Sequence, residues 1–191
     1  IIRYEGNNDE VKDKIKQLCT AYTDKEIEAI VDDMPILKDY SDKRKKNLNG
    51  VAIIWRDHFL EENVGLLLSF VRMGVNPEDV LAIDKGDSTK HRKEITATFK
   101  KLGFEVNILD NTAVAEDRLL EDGKKFITEF IEKRKDKKIV ILDDGAIVSK
   151  ILTSHSYDNV KAFVELTVTG LKRIKDLNVD ELPYPVLNVA K

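Results

Sequence analysis

Two adjacent carboxylates, Asp143 and Asp144, follow a continuous apolar run at 139–142 and precede Gly145. The run is rich in β-branched residues and suits a strand buried on both faces, and the glycine permits the turn that ends it. Open parallel sheets bind ligands outside the carboxyl ends of their strands. These carboxylates therefore stand where hydroxyl binding and acid–base chemistry are expected. His58 is the second candidate, because imidazole titrates near neutrality and can serve as acid or base if Asp57 or Glu62 orients it. Similar polar groups close the other apolar runs: Asp84 to Thr89, Asp110-Asn111, Glu165 to Gly170, and Asn188 towards Lys191. Asp84, Asp87, Ser88 and Asp110 read first as helix N-caps. One of Asp143 and Asp144 can likewise cap the helix expected to start near Gly145.

The elements that position these residues follow a regular rhythm. Strands are expected at 51–55, 80–83, 104–109, 139–142, 160–164 and 185–189. Helices are expected at 61–73, 91–102, 114–134, 167–177 and briefly through Leu152. Strands alternating with helices of this length predict an α/β fold: a doubly wound parallel sheet, flavodoxin/Rossmann-like and three-layered. Right-handed crossovers put all the strand ends on one rim. Residues 1–48 read as an N-terminal helical segment and 49–191 as the domain proper. In the segment, Thr23 and Glu26 form a capping-box pattern and Met34-Pro35 breaks the helix. A helical pair is expected there, followed by a polar linker at 41–49. Cys19 shares a helical stripe with Ile15 and Leu18 and is expected in the core.

Of the 191 residues, 42% are hydrophobic and 35% charged, and the formal net charge is −3. That balance fits a globular domain and gives no basic footprint for nucleic acid. The basic cluster at 43–46 reads as a solvated connection. No apolar run approaches the ~20 residues that span a membrane, and no signal-peptide pattern is present. One cysteine makes no internal disulfide and points weakly to a reducing, cytoplasmic setting. His91 and His155 read as surface residues, and the three histidines have no zinc-ligand spacing, so no metal ligands are assigned. The glycines are isolated, with no Gly-x-Gly-x-x-Gly, Walker loop or nucleophile elbow. The start at Ile1 and the stop at Lys191 read as a fragment of a longer product.

Three motifs occur in order: Ile141-Leu142-Asp143-Asp144-Gly145, Glu165-Leu166-Thr167-Val168-Thr169-Gly170-Leu171, and Leu182-Pro183-Tyr184-Pro185-Val186-Leu187-Asn188-Val189. Together they resemble the substrate domain of S-adenosylhomocysteine hydrolase, over roughly Gly50 to Lys191. His58-Phe59-Leu60-Glu61-Glu62 is similar to the family's Leu-His-Met-Thr-Val-Glu-Thr, and Ser88-Thr89 to its Ser-Thr-Gln-Asp. The resemblance implies a nucleoside-type small-molecule substrate and a tightly bound NAD that oxidises the ribose 3′-hydroxyl. By position it makes His58 and Asp144 catalytic, Asp143, Glu165, Asn188, Ser88 and Thr89 substrate-binding, and Thr167 and Thr169 NAD contacts. The NAD is then held mainly by a separate C-terminal domain, and a homo-oligomer is compatible with the reading.

The departures point to altered specificity. Leu166 stands where the family has its substrate-binding glutamate, Leu60 where it has a threonine, and Ile147 where the Asp-Asp-Gly-Gly-Asp motif has its last aspartate. Ala190 and Lys191 stand where Asn-Asp is expected. A leucine cannot replace a carboxylate that fixes a sugar hydroxyl. Two other readings remain open: a non-catalytic, regulatory nucleotide- or protein-binding relative, and a substrate domain of the D-2-hydroxyacid dehydrogenase type.

Overall fold

The computed structural model describes residues 6, 8–153, 155–177 and 182–189. Six parallel strands, β1 (Val51–Asp57), β2 (Val80–Asp84), β3 (Glu105–Ile108), β4 (Lys138–Asp143), β5 (Val160–Glu165) and β6 (Val186–Asn188), form one sheet in the order β3-β2-β1-β4-β5-β6. The central strands are near-continuous apolar runs because both of their faces are covered. On one face, α4 (Glu61–Arg72) and α5 (Arg92–Lys101) pack on Ile53, Trp55, Val80 and Ala82, with Phe59 stacked on Trp55, Phe99 edge-on to it and Phe104 against Phe99. On the other, α6 (Asp117–Glu132) and α7 (Ile147–Leu152) cover Ala52, Ile54, Leu81, Ile139 and Ile141. Helix α8 (Val168–Asp176) lies beside α7.

This is the expected doubly wound fold, and of its two common strand orders it has 3-2-1-4-5-6. The chain builds outward from β1 through β2 to β3, then crosses back to set β4 against the other side of β1. The carboxyl ends of β1 and β4 thus flank the topological switch point, where such sheets open a crevice. The register pairs Arg56 with Asp143, so the polar ends of the two strands lie side by side.

The N-terminal segment holds three helices where a pair is expected: α1 (Asp9–Thr20), α2 (Asp24–Asp32) and α3 (Pro35–Lys43). Pro35 starts α3 because a first-turn proline gives up no helical hydrogen bond. The expected linker is therefore shorter, with turns only after Lys43. The Thr23–Glu26 capping box forms in both directions. Helices α2 and α3 pack on α4, and α1 on α5. The expectation that Cys19 lies in the core is corrected: Cys19 is exposed, as is Leu18. Helix α5 turns Ile95 and Phe99 to the sheet, so α1 meets only its polar outer side.

Candidate functional site

Side-chain alternation along β1 and β4 sorts the rim residues onto the two faces of the sheet. Arg56 follows Ala52 and Ile54 to the α6/α7 face, and Asp143 follows Ile139 and Ile141 to the same face. Both are fully buried, as is Glu165, the register partner of Asp143 on β5. Asp57 and Asp144 turn the other way and open to the rim.

The buried layer fixes the loops. Arg56 donates from Nε to the Leu109 carbonyl (3.0 Å), from Nη1 to the Asp144 carbonyl (2.7 Å) and from Nη2 to Asn111 Oδ1 (3.1 Å). Its nearest carboxylate oxygen is Asp143 Oδ1, at 3.8 Å. Asp143 Oδ2 accepts from the Ser149 N–H at 3.1 Å, in the first turn of α7. Capping therefore falls to Asp143, and Asp144 is left for the crevice. Burial pushes the Asp143 carboxyl up to about 6, against the opposing pull of Arg56 and the Ser149 N–H. Glu165 Oε1 accepts from the N–H of Gly145 (3.2 Å) and from the N–H (2.7 Å) and hydroxyl (2.8 Å) of Thr167. A Cβ on Gly170 would stand 2.1 Å from the Glu165 carboxyl carbon, so only glycine lets α8 approach this carboxylate. Gly145 turns the chain at φ +100°, where a side chain would meet Arg173 Nη1 at 3.0 Å.

Above this layer lie Asp57, His58, Lys85, Asp87 and Asp144. Lys85 Nζ is 2.9 Å from Asp144 Oδ2 and 3.2 Å from His58 Nε2, and the residue is only 7% exposed. His58 Nδ1 is 2.5 Å from Asp87 Oδ2, a close approach without hydrogen-bond geometry, so the carboxylate beside the ring is Asp87, not Asp57 or Glu62. Asp57 instead accepts from the His58 backbone N–H at 2.6 Å. Burial, then the hydrogen bond and charge of Asp144, push the Asp57 carboxyl up to about 7, against the His58 N–H and Lys85. Asp57 therefore keeps its proton up to the neutral range.

Asp57, His58 and Asp144 each bring a donor atom within 4.8 Å of the others, a set of one imidazole and two carboxylates that could hold a metal ion. Histidine spacing could not reveal it, because one ligand comes from β4. In the structure the Lys85 ammonium supplies the positive charge beside two of those donors.

The other sequence-predicted residues divide. Thr167 and Thr169, with Lys85, Asn111, Gly145 and Arg173, line a chamber of about 250 Å³ beside Asp144. Thr167 also caps α8, its hydroxyl accepting from the Gly170 N–H at 3.0 Å. His58 and Asp144 meet at 3.7 Å across the crevice. Asp143 and Glu165 lie beneath it, closed to solvent. Thr89 donates to the Phe59 carbonyl at 2.9 Å and faces the groove between α1 and α5. Ser88 and Asn188 are exposed. Asp84 takes Arg92 Nε and the Gly86 N–H, and only Asp110 among the four expected N-caps caps a helical turn, at Thr112. Arg56, Lys85, Asp87 and Arg173 are the site residues sequence reasoning missed. Lys85 and Asp87 stand in a polar strand-end string and Arg56 directly after the first expected strand, but Arg173 carries no local signal.

The dinucleotide diphosphate does not fit at the first βα turn. Phe59 is fully buried there, and Glu61 and Glu62 occupy the first turn of α4, where a phosphate would need N–H groups and no like charge. Among the described residues, no helix is long and apolar enough to cross a membrane.

No protein-family model matches the chain. It is 24% identical over 158 residues to uncharacterised proteins from two strains of Mycobacterium tuberculosis, CDC 1551 and H37Rv. The match covers 78% of this chain and 30% of each relative.

Proposed function

We propose that the chain is the substrate-binding part of an NAD-linked, adenosylhomocysteinase-like enzyme of altered specificity, with a nucleoside-type ligand in the crevice between β1 and β4. The observation that supports this best is the constellation of His58, Lys85, Asp87 and Asp144 at the switch point. A carboxylate and an imidazole there can accept the protons of sugar hydroxyls. Asp87 lies on the Nδ1 side of His58, and Nε2 faces the crevice. Asp57 can give or take a proton near neutral pH. Lys85 can polarise an oxygen that leaves or gains a proton. Leu166 removes one hydroxyl acceptor of the family pattern, and Glu165 is turned inward onto Gly145 and Thr167. Both features favour a changed substrate. NAD in this reading touches Thr167 and Thr169 and is held elsewhere, because the β1–α4 turn offers its diphosphate no cradle.

One feature favours the regulatory alternative: Lys85 fills the space between His58 and Asp144. A ligand that merely replaced those contacts would bind without turnover.

The test is a titration of the chain with adenosine, read by amide chemical shifts and calorimetry. Shifts should centre on Asp57–His58, Lys85 and Asp144–Gly145. Asp144→Asn should weaken binding more than about tenfold, since a hydrogen bond to a charged group contributes roughly 1.5–3 kcal/mol. It should also lower the melting temperature, because it leaves the buried Lys85 ammonium without its counter-ion 2.9 Å away, while the α7 cap stays with Asp143. An Asp144→Asn protein that is folded and binds adenosine as wild type does would refute the assignment.

A further inference from the structure

We infer that the ligand of this crevice carries a phosphoryl group, as a 5′-nucleotide does, and that this group occupies the chamber between the start of α8 and the loops after β2, β3 and β4. The inference rests on the nucleoside reading above and narrows it, with Thr167 and Thr169 meeting the ligand's phosphoryl group in place of the NAD.

The chamber is distinct from the acid–base cluster, although Asp144 and Lys85 border both. At about 250 Å³ it is smaller than the ~300–1,000 Å³ pockets that enclose a whole drug-sized ligand, so it suits one polar group of a larger molecule. Its wall is rich in donors. Lys85 is almost completely buried on one side, with Asp144 as counter-ion. Across from it, Arg173 spends one Nη1 bond on the Gly145 carbonyl at 2.7 Å, and among the described residues no carboxylate pairs with it. Lys85 is paired with Asp144, whereas Arg173 stands outside any ion pair among the described residues, and the buried Glu165 carboxylate below the lining is turned to Gly145 and Thr167. Asn111 and the Thr167 and Thr169 side chains complete the lining.

Helix α8 adds to this charge but does not carry the inference. Its Val168 and Thr169 N–H groups have no intrahelical acceptor, and Thr167 already takes the Gly170 N–H. Glu165 lies below, its Oε1 committed to Gly145 and Thr167. The chamber thus presents a guanidinium outside any ion pair, a buried ammonium and hydroxyl groups, above the Glu165 carboxylate. A neutral sugar would leave that charge unused. A phosphoryl group takes several such donors at once.

The experiment is calorimetry of the whole chain with adenosine, AMP, NAD and inorganic phosphate, at low and moderate salt. AMP should bind about tenfold or more tightly than adenosine at low salt, the size expected of one partly screened charge contact. The advantage should shrink as salt rises. Thr169→Glu places a carboxylate at the exposed mouth of the chamber, and it should cost AMP at least about tenfold and adenosine far less. Arg173→Gln should erase the AMP advantage, and Arg173→Lys should restore part of it.

Equal affinities for adenosine and AMP would overturn the phosphoryl inference and leave the nucleoside reading standing. NAD binding tightly while AMP does not would assign the chamber to the cofactor diphosphate and also overturn it. If neither adenosine nor AMP binds, the nucleoside reading fails, and the inference with it.

Discussion

Replacing Arg56 by methionine keeps the length of the side chain and removes its charge and donors. The residue is fully buried, and its three hydrogen bonds join the loops that follow β1, β3 and β4. Methionine leaves the carbonyls of Leu109 and Asp144 without these donors and leaves Asp143 without its nearest cation, 3.8 Å away. Breaking a buried charged pair from one side costs roughly 3–5 kcal/mol. That is a large share of the ~5–15 kcal/mol that holds a domain together. With an m-value near 2 kcal/mol/M, the urea midpoint should fall by about 2 M. Asp143→Asn provides the second arm. In wild type it removes a carboxylate that Arg56 attracts. In the Arg56→Met background it removes a buried charge with no partner, so it should cost far less there and can stabilise. The expected coupling is about 1–3 kcal/mol. A loss below about 1 kcal/mol for Arg56→Met, or additive costs in the double variant, would show that this guanidinium is not what holds the rim together.

Three further outcomes are expected. Asp57 and Asp143 are raised from 3.8 to about 7 and about 6, so each binds its proton more tightly when folded. Their contribution to stability is fully present below the unfolded value and is lost as pH rises through the folded one. The urea midpoint should therefore fall between about pH 4 and 7, and Asp57→Asn, whose amide can donate to Asp144, should flatten that slope and stabilise the protein at pH 8. Gly170→Ala drives a methyl group onto the Glu165 carboxyl, which its three bonds to Gly145 and Thr167 hold in place. Overpacking of this kind costs about 1–3 kcal/mol, and an unchanged melting temperature would show that the carboxylate can move aside. Thr23→Ala removes a reciprocal capping box and should cost about 1 kcal/mol by urea unfolding, with full retention of stability as the contrary result.

The βα rhythm, the parallel sheet and the rim of strand ends can be read from the chain itself, because buried strands are apolar runs and the helices between them carry their own periodicity. The Thr23–Glu26 box and the turn at Gly145 can be read for the same reason: each is settled by residues a few positions apart. Cys19 shows the limit. Its helical stripe is real, yet whether a stripe is covered depends on what packs against it, and α1 lands on the polar outside of α5. Asp143 and Asp144 are alike in sequence. Strand alternation sends one down to Arg56 and α7 and the other up to Lys85 and His58. Which of the two goes down is set by the register of β4 against β1. His58 finds Asp87, 29 positions away, rather than the neighbouring Asp57, and Arg173 reaches back to Gly145. Local pattern determined the elements and the rim. Strand order, register and the placing of α8 decided which charges meet, because side chains far apart in sequence become neighbours only when the crossover sets β4 beside β1.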